Sequence, residues 1–412
     1  MNALPIPDGG EVVVSVIKTF DPFRQQELSQ YREDSDEEVL RKIRLARKAS
    51  EEFRGDIDQR KQYLRDTVKR NLERMKGGEL ARTITMEMGK PIKQSIAEVE
   101  KCIRLVDYAV ENIERFYAPE PVMTEARKSY VRFDPIGVVM AIMPWNFPVW
   151  QVMRAAVPAI SAGNGVVLKH ASITTGTALM IQEVFDSEAF STLLLRGGSD
   201  ALRYIPHVDG VTFTGSTSVG ARVAEEAGKH IKKCVLELGG SDPFIVLGSA
   251  DIRETAKQAA LARLQNNGQS CIASKRFLVQ GSIYEEFREA LEEEFSRVVQ
   301  GGDPHGGEHL PWPAFIKGAD GNGQEAGGRA QGGPRREGYR GREQVRADRA
   351  THHSVRARGC EVRTGGIRAG GPAPEVRYAG RCRQARQRHA LWTGGRPYGE
   401  TPPRKPRTLY RG

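Results

Sequence analysis

The sequence predicts an α/β protein built on a doubly wound parallel sheet, followed by a shorter α/β segment and a tail of different character. Three observations carry this. In the middle of the chain, short unbroken apolar runs alternate with helix-length segments. Strand, turn and helix repeat in that order, which means parallel βαβ units and a doubly wound sheet. From residue 301 the composition changes abruptly.

The first third reads as helical. Ser35 with Glu38 forms a capping box, and Val39, Ile43, Ala46 and Phe53 then fall near one helical face. A second helix is predicted from about Ile57 to Met75, stopped by Gly77-Gly78. A third, from about Lys93 to Tyr117, places Ile96, Val99, Ile103, Val106 and Val110 on one stripe. The βαβ region follows. "GVVMAIM" (137–143) precedes a helix over about 149–162, "GVVLKH" (165–170) a helix over about 174–185, and "VTFTG" (211–215) a helix over about 217–229. "CVLEL" (234–238) and "PFIVL" (243–247) are two more strands. From Asp251 to Gln300 the pattern is helix, a loop around Cys271, a strand at Arg276–Val279 and a final helix. The domains expected are 1–238, with the N-terminal helices and a nucleotide-type sheet, 239–300 as an incomplete second α/β domain, and 301–412 as a tail.

The net charge of +10 over 412 residues is a property of the tail. Residues 301–412 hold 22 Lys and Arg against 10 Asp and Glu, while residues 1–300 hold 40 against 42. The tail also contains 23 of the 44 glycines and only ten Leu, Ile, Val and Phe, a composition that reads as disordered. An RNA-binding Arg/Gly tail, a solvated tail and a GC-rich stretch translated out of frame all fit. Sparse aromatics and the abruptness of the change favour the last and make nucleic acid an unexpected partner. The five cysteines form no CxxC pair, which suits a reduced, cytoplasmic setting. "IGVVMAIMPWNFPVW" is too short and too broken to span a bilayer, and the N-terminus has no secretion pattern.

Five blocks sit where strands end, the edge at which such sheets bind ligands. They are "PWNFP" (144–148), "LKHAS" (168–172), "FTGSTSVG" (213–220), "LELGG" (236–240) and "NNGQSC" (266–271). "FTGSTSVG" lacks the Lys of a P-loop and the three-glycine dinucleotide fingerprint. In this order the five blocks resemble the NAD(P)-dependent aldehyde dehydrogenase superfamily. With "EMGKPIKQSIAEVEKC" (87–102), the chain looks most like its succinate-semialdehyde dehydrogenases, over about residues 10–300.

The resemblance implies a Rossmann-type domain plus a catalytic domain, and oxidation of a small aldehyde with NAD or NADP. It implies Cys271 as nucleophile, Glu237 as a partly buried general base and Asn146 as oxyanion donor. Trp145, Lys169, His170, Ala171, Ser172, Gly215, Ser216 and Leu238 would bind the cofactor, with Ser216 presenting the pyrophosphate to a helix N-terminus. Read without the family, Cys271 is an inert thiol, Glu237 a surface charge, Asn146 a turn residue, Trp145 a core aromatic and Lys169 a solvated strand end. Cys102 and Cys234 keep the inert reading. The family's Glu-x-Phe and Asn-rich blocks and its closing strand are not recognisable after Gly301. A "GxPxG" connection is missing between Phe185 and Thr192. These departures imply impaired activity and a doubtful homo-oligomer. The alternative is a non-catalytic dinucleotide-binding remnant with a basic, nucleic-acid-binding tail.

Overall fold

The computed structural model describes residues 15–298 and 303–306. The Gly/Arg-rich segment, and the expectations attached to it, lie outside the described residues from 307 on. The described residues divide into two compact units. The first holds 15–241, 261–273 and the described residues of 297–306; the second holds 242–260 and 274–296.

In the first unit an antiparallel hairpin, β1 (Val16–Asp21) and β2 (Gln26–Arg32), comes first. Helix α1 (Asp36–Phe53) starts at the predicted capping box, with Asp36, Glu37 and Glu38 in its first turn favouring the positive end of the helix dipole. α2 (Ile57–Tyr63), a π-helical stretch (Leu64–Lys69) and α3 (Arg70–Met75) continue one another and together cover the predicted second helix. α4 (Glu79–Met88) ends on Gly89, whose φ of 71° needs a residue without a Cβ penalty. α5 (Ile92–Tyr117) buries Val99, Val106 and Val110 of the predicted stripe together with Cys102, while Ile96 and Ile103 are half-buried. A short ladder, β3 (Glu120–Pro121) with β4 (Tyr130–Val131), leads into the sheet.

That sheet has five parallel strands. In chain order they are β5 (Val138–Met143), β6 (Gly165–His170), β7 (Phe190–Thr192), β8 (Gly210–Gly215) and β9 (Lys233–Leu238). In space the order is β7-β6-β5-β8-β9, so the winding reverses at β5, and a crevice opens beyond the carboxyl ends of β5 and β8. The connections carry α6 (Trp150–Ser161), α7 (Thr175–Phe185), α8 (Gly198–Leu202) and α9 (Thr217–Lys229). Period-2 alternation sends Ala141 and Met143 into one core with α4 to α7, and Met140 and Ile142 into a second with α1 and α9. Gly165 lies against α1 so closely that a Cβ would stand 2.2 Å from the Ala46 carbonyl oxygen. Among the described residues no helix is long and apolar enough to cross a membrane.

The second unit has a sheet of its own. β10 (Pro243–Val246) pairs in parallel with β11 (Arg276–Val279) in a separate two-stranded sheet. α10 (Ile252–Leu264) begins in this unit, and α11 (Tyr284–Val298) covers its sheet with Phe287, Leu291 and Phe295. Phe277 stands between Phe244 and Phe287, at 5.8 and 6.4 Å between ring centroids.

Candidate active site

All five blocks lie in the first unit. Four of them end strands of its sheet or follow directly, so parallel pairing brings them to one edge. Met143 pairs with His170, Ile142 with Phe213 and Gly215 with Leu238. The fifth, "NNGQSC", reaches that edge through side-chain hydrogen bonds. The Asn146 amide Nδ2 donates to the Gln269 carbonyl at 2.8 Å, and the Asn266 Nδ2 donates to the Asn146 carbonyl at 2.6 Å. These reciprocal bonds place Asn146 two residues from Cys271. One N–H of the Asn146 amide remains for a ligand, since a primary amide carries two.

The loop's shape comes from its sequence. Asn266 and Asn267 adopt φ values of 56° and 54°, and Gly268 has φ 73°. Three consecutive left-handed residues turn the chain sharply after α10, and Asn and Gly are the residues that tolerate this. Asn266 and Ser270 are buried, whereas Cys271 is exposed. The contrast with Cys102 is chemical: burial, aided by the neighbouring Glu98, pushes that thiol well above its usual range, which keeps it protonated and inert. Burial raises Cys234 as well.

Glu237 departs from expectation. Its side chain is 54% exposed, not partly buried, and lies 3.5 Å from the Arg154 guanidinium of α6. The reason is β9 itself, an outer strand of the sheet, where only Cys234, Leu236 and Leu238 turn toward the core. Arg154 was not singled out from the sequence. Its signal was a lone cation one helical turn into an otherwise apolar helix directly after "PWNFP".

The cofactor candidates divide. Gly215 ends β8, and exposed Ser216 caps α9, its hydroxyl accepting from the Val219 N–H at 3.4 Å. A Cβ on Gly220 would stand 2.5 Å from Leu238 Cδ2, so this glycine lets α9 approach β9 beside Glu237. Ser172 donates to the Arg196 carbonyl at the end of β6, and Ala171 donates its N–H to the His170 ring. Trp145 is partly buried against the first core. Lys169 is buried, 3% exposed.

His170 is an interior residue. Its Nε2–H donates to the Pro148 carbonyl at 2.8 Å, and Nδ1 accepts from the Ala171 N–H at 2.7 Å and the Thr174 hydroxyl at 2.9 Å. Burial, with the Lys169 charge adding to it, pushes its pKa down to about 4. The neutral ring therefore pins the strand end to the "PWNFP" loop, and its side chain has no position left for a cofactor. The remaining donor set fits an anionic dinucleotide. It comprises the exposed N–H groups at the start of a 13-residue helix, the Ser216 hydroxyl and the strand-end groups around Lys169 and Ser172. Among the described residues no cluster of His, Cys, Asp and Glu could hold a metal ion.

Behind the loops stands "EMGKPIKQSIAEVEKC". Buried Glu98 accepts from the Val149 and Trp150 N–H groups, both at 2.9 Å, at the start of α6. It also pairs with buried Lys90, whose ammonium sits 4.3 Å over the Phe147 ring. Glu87 caps α7, accepting from the Gly176 and Thr177 N–H groups and the Thr177 hydroxyl.

Comparison with known proteins agrees with this geometry. Residues 12–310 match the aldehyde dehydrogenase family. A probable succinate-semialdehyde dehydrogenase (NADP+) of Synechocystis is 44% identical over 295 residues, 70% of this chain and 64% of that protein. A succinate-semialdehyde dehydrogenase (NADP+) of Mycobacterium avium is 41% identical, over 70% of this chain and 63% of its own length. The match thus spans less than two thirds of these relatives. The crystal structure of succinic semialdehyde dehydrogenase from Streptococcus pyogenes with NADP+ superposes with a TM-score of 0.68 at 32% identity, covering 72% of this chain and 66% of that one.

Proposed function

The chain belongs to the aldehyde dehydrogenase family, and from that premise we propose that it oxidises an aldehyde, succinate semialdehyde in particular, to the acid. The observation that carries this is the pair of hydrogen bonds that sets the Asn146 amide beside the Cys271 loop. NAD or NADP, when bound in the crevice, supplies the hydride acceptor. The relatives' NADP+ usage favours the phosphorylated form.

In this reading the Cys271 thiolate attacks the aldehyde carbon, a C–S bond forms, and the carbonyl π electrons move to oxygen. The remaining Asn146 N–H and the Cys271 backbone N–H hold that oxyanion. Loss of hydride leaves a thioester on Cys271. Glu237 takes a proton from water, the hydroxide oxygen attacks the thioester carbon, and C–S cleavage releases the acid and restores the thiolate. Arg154, paired with Glu237 at 3.5 Å, presents a cation to the substrate's distal carboxylate. Ser216 and the α9 N–H groups receive the pyrophosphate, and Trp145, Lys169, Ala171, Ser172, Gly215 and Leu238 line the same edge.

The proposal includes a reduced rate. Exposed Cys271 and the 54% exposed Glu237 lack the dry surroundings in which a nucleophile and a base work best. A cytoplasmic setting completes the reading. The test is reduced-nicotinamide formation by the purified chain with succinate semialdehyde and NADP+ or NAD+. Slow turnover abolished in Cys271→Ala supports it. Turnover that survives Cys271→Ala refutes it. Cofactor binding without turnover, joined to salt-dependent RNA binding, establishes the non-catalytic remnant instead.

A further inference from the structure

We propose that Gln94 is a positioning residue for the Cys271 loop, acting across the chain from the first turn of α5. This rests on the reading of Cys271 as nucleophile. Asn266 is fully buried, and its left-handed backbone carries its N–H away from the helical ladder of α10. A buried N–H without a partner is costly. The Gln94 Oε1 accepts that N–H at 2.8 Å. One residue on, the Asn267 Nδ2 donates to the Gly89 carbonyl at 2.7 Å, at the end of α4. The loop's far side bonds to Asn146. The turn is therefore gripped on one side by Gly89 and Gln94 and on the other by Asn146.

The same short stretch also holds the other half of the site. Glu98, one helical turn beyond Gln94, accepts from the Val149 and Trp150 N–H groups just after "PWNFP". The N-terminal turns of α5 thus reference the nucleophile loop and the oxyanion-donor loop to one rigid element. That juxtaposition gives "EMGKPIKQSIAEVEKC", which touches no reacting atom, a role in the chemistry.

Gln94 serves only through its acceptor oxygen, and this makes the idea testable. Gln94→Glu keeps an acceptor for the Asn266 N–H, whereas Gln94→Ala and Gln94→Met remove it. In the full chain, amide hydrogen exchange at Asn266 should quicken about tenfold in Q94A and Q94M and stay within about twofold of wild type in Q94E. Amides of β5 and β6 should not change. The kcat for aldehyde oxidation should fall about tenfold in Q94A with KM within about twofold, and Q94E should recover most of it. Unchanged Asn266 exchange in Q94A, or an equal rise across the sheet, overturns the proposal. So does global unfolding of both Q94A and Q94M, which would make Gln94 a core support. If the wild-type chain shows no turnover at all, the proposed function fails, and amide exchange alone decides the role of Gln94.

Discussion

Cys271 and Asn146 were legible in the sequence as candidates because each sits in a short block of small and polar residues whose order along the chain carries meaning. Their partners were not. Gln94 and Glu98 reach the site from α5, bonding backbone N–H groups 172 and 51 or 52 residues away, and Arg154 reaches it from α6. Helical periodicity reports only which face is buried, not which polar side chain crosses to a distant loop. His170 shows the reverse error: membership of a block implied a ligand contact, and the fold gives its ring three internal partners. Two outcomes follow at this scale. Cys271→Ala should remove aldehyde oxidation, a loss of at least about a thousandfold, while dinucleotide binding measured by fluorescence titration is retained. Arg154→Ala should raise KM for succinate semialdehyde about tenfold or more and leave KM for a neutral aldehyde of similar length nearly unchanged, as steady-state kinetics would show.

Elements were readable where they were long. The four longest strands of the sheet, and the helices α1, α5 and α9, fall within a residue or two of expectation because strong periodicity or a capping box marks them. The hairpin β1–β2 and helix α4 escaped. The hairpin mixes Lys, Gln, Glu and Arg into its strands, and α4 is a single ten-residue stretch between Gly-Gly and Gly-Lys-Pro. β7 is three residues long and lies within the stretch between Phe185 and Thr192 where the "GxPxG" connection is missing. Glycines carry part of this architecture. Gly165→Ala should destabilise the chain by about 2 kcal/mol or more, because the new methyl meets the Ala46 backbone and neither strand nor helix can yield. A clear drop in urea midpoint with unchanged m-value would confirm it, and an unchanged midpoint would refute the packing argument.

At the scale of the molecule, two buried titrating groups set opposing pH trends. Burial raises Glu87 to about 7 against its three hydrogen-bond donors, so the fold favours its protonated form. Its contribution is greatest below about pH 4.5 and declines as pH rises to about 7. His170, lowered to about 4, favours the neutral ring, so its contribution grows from about pH 4 to about 6.5. Between about 4.5 and 6.5 the two offset one another. Glu87→Gln should uncover the His170 trend, and the unfolding free energy from urea titrations would then climb over that range, by up to about 1.4 kcal/mol per pH unit at the steepest. A flat profile in E87Q would contradict this. The grip on the Cys271 turn has a kinetic consequence as well. Its bonds join residues 123, 172 and 178 positions apart, the Gly89 and Gln94 sides being made long before the turn leaves the ribosome. Contacts that distant in sequence form after the local helices and the sheet. Refolding chains should therefore regain circular dichroism before the thiol regains its setting, and competence would be the last property the molecule acquires.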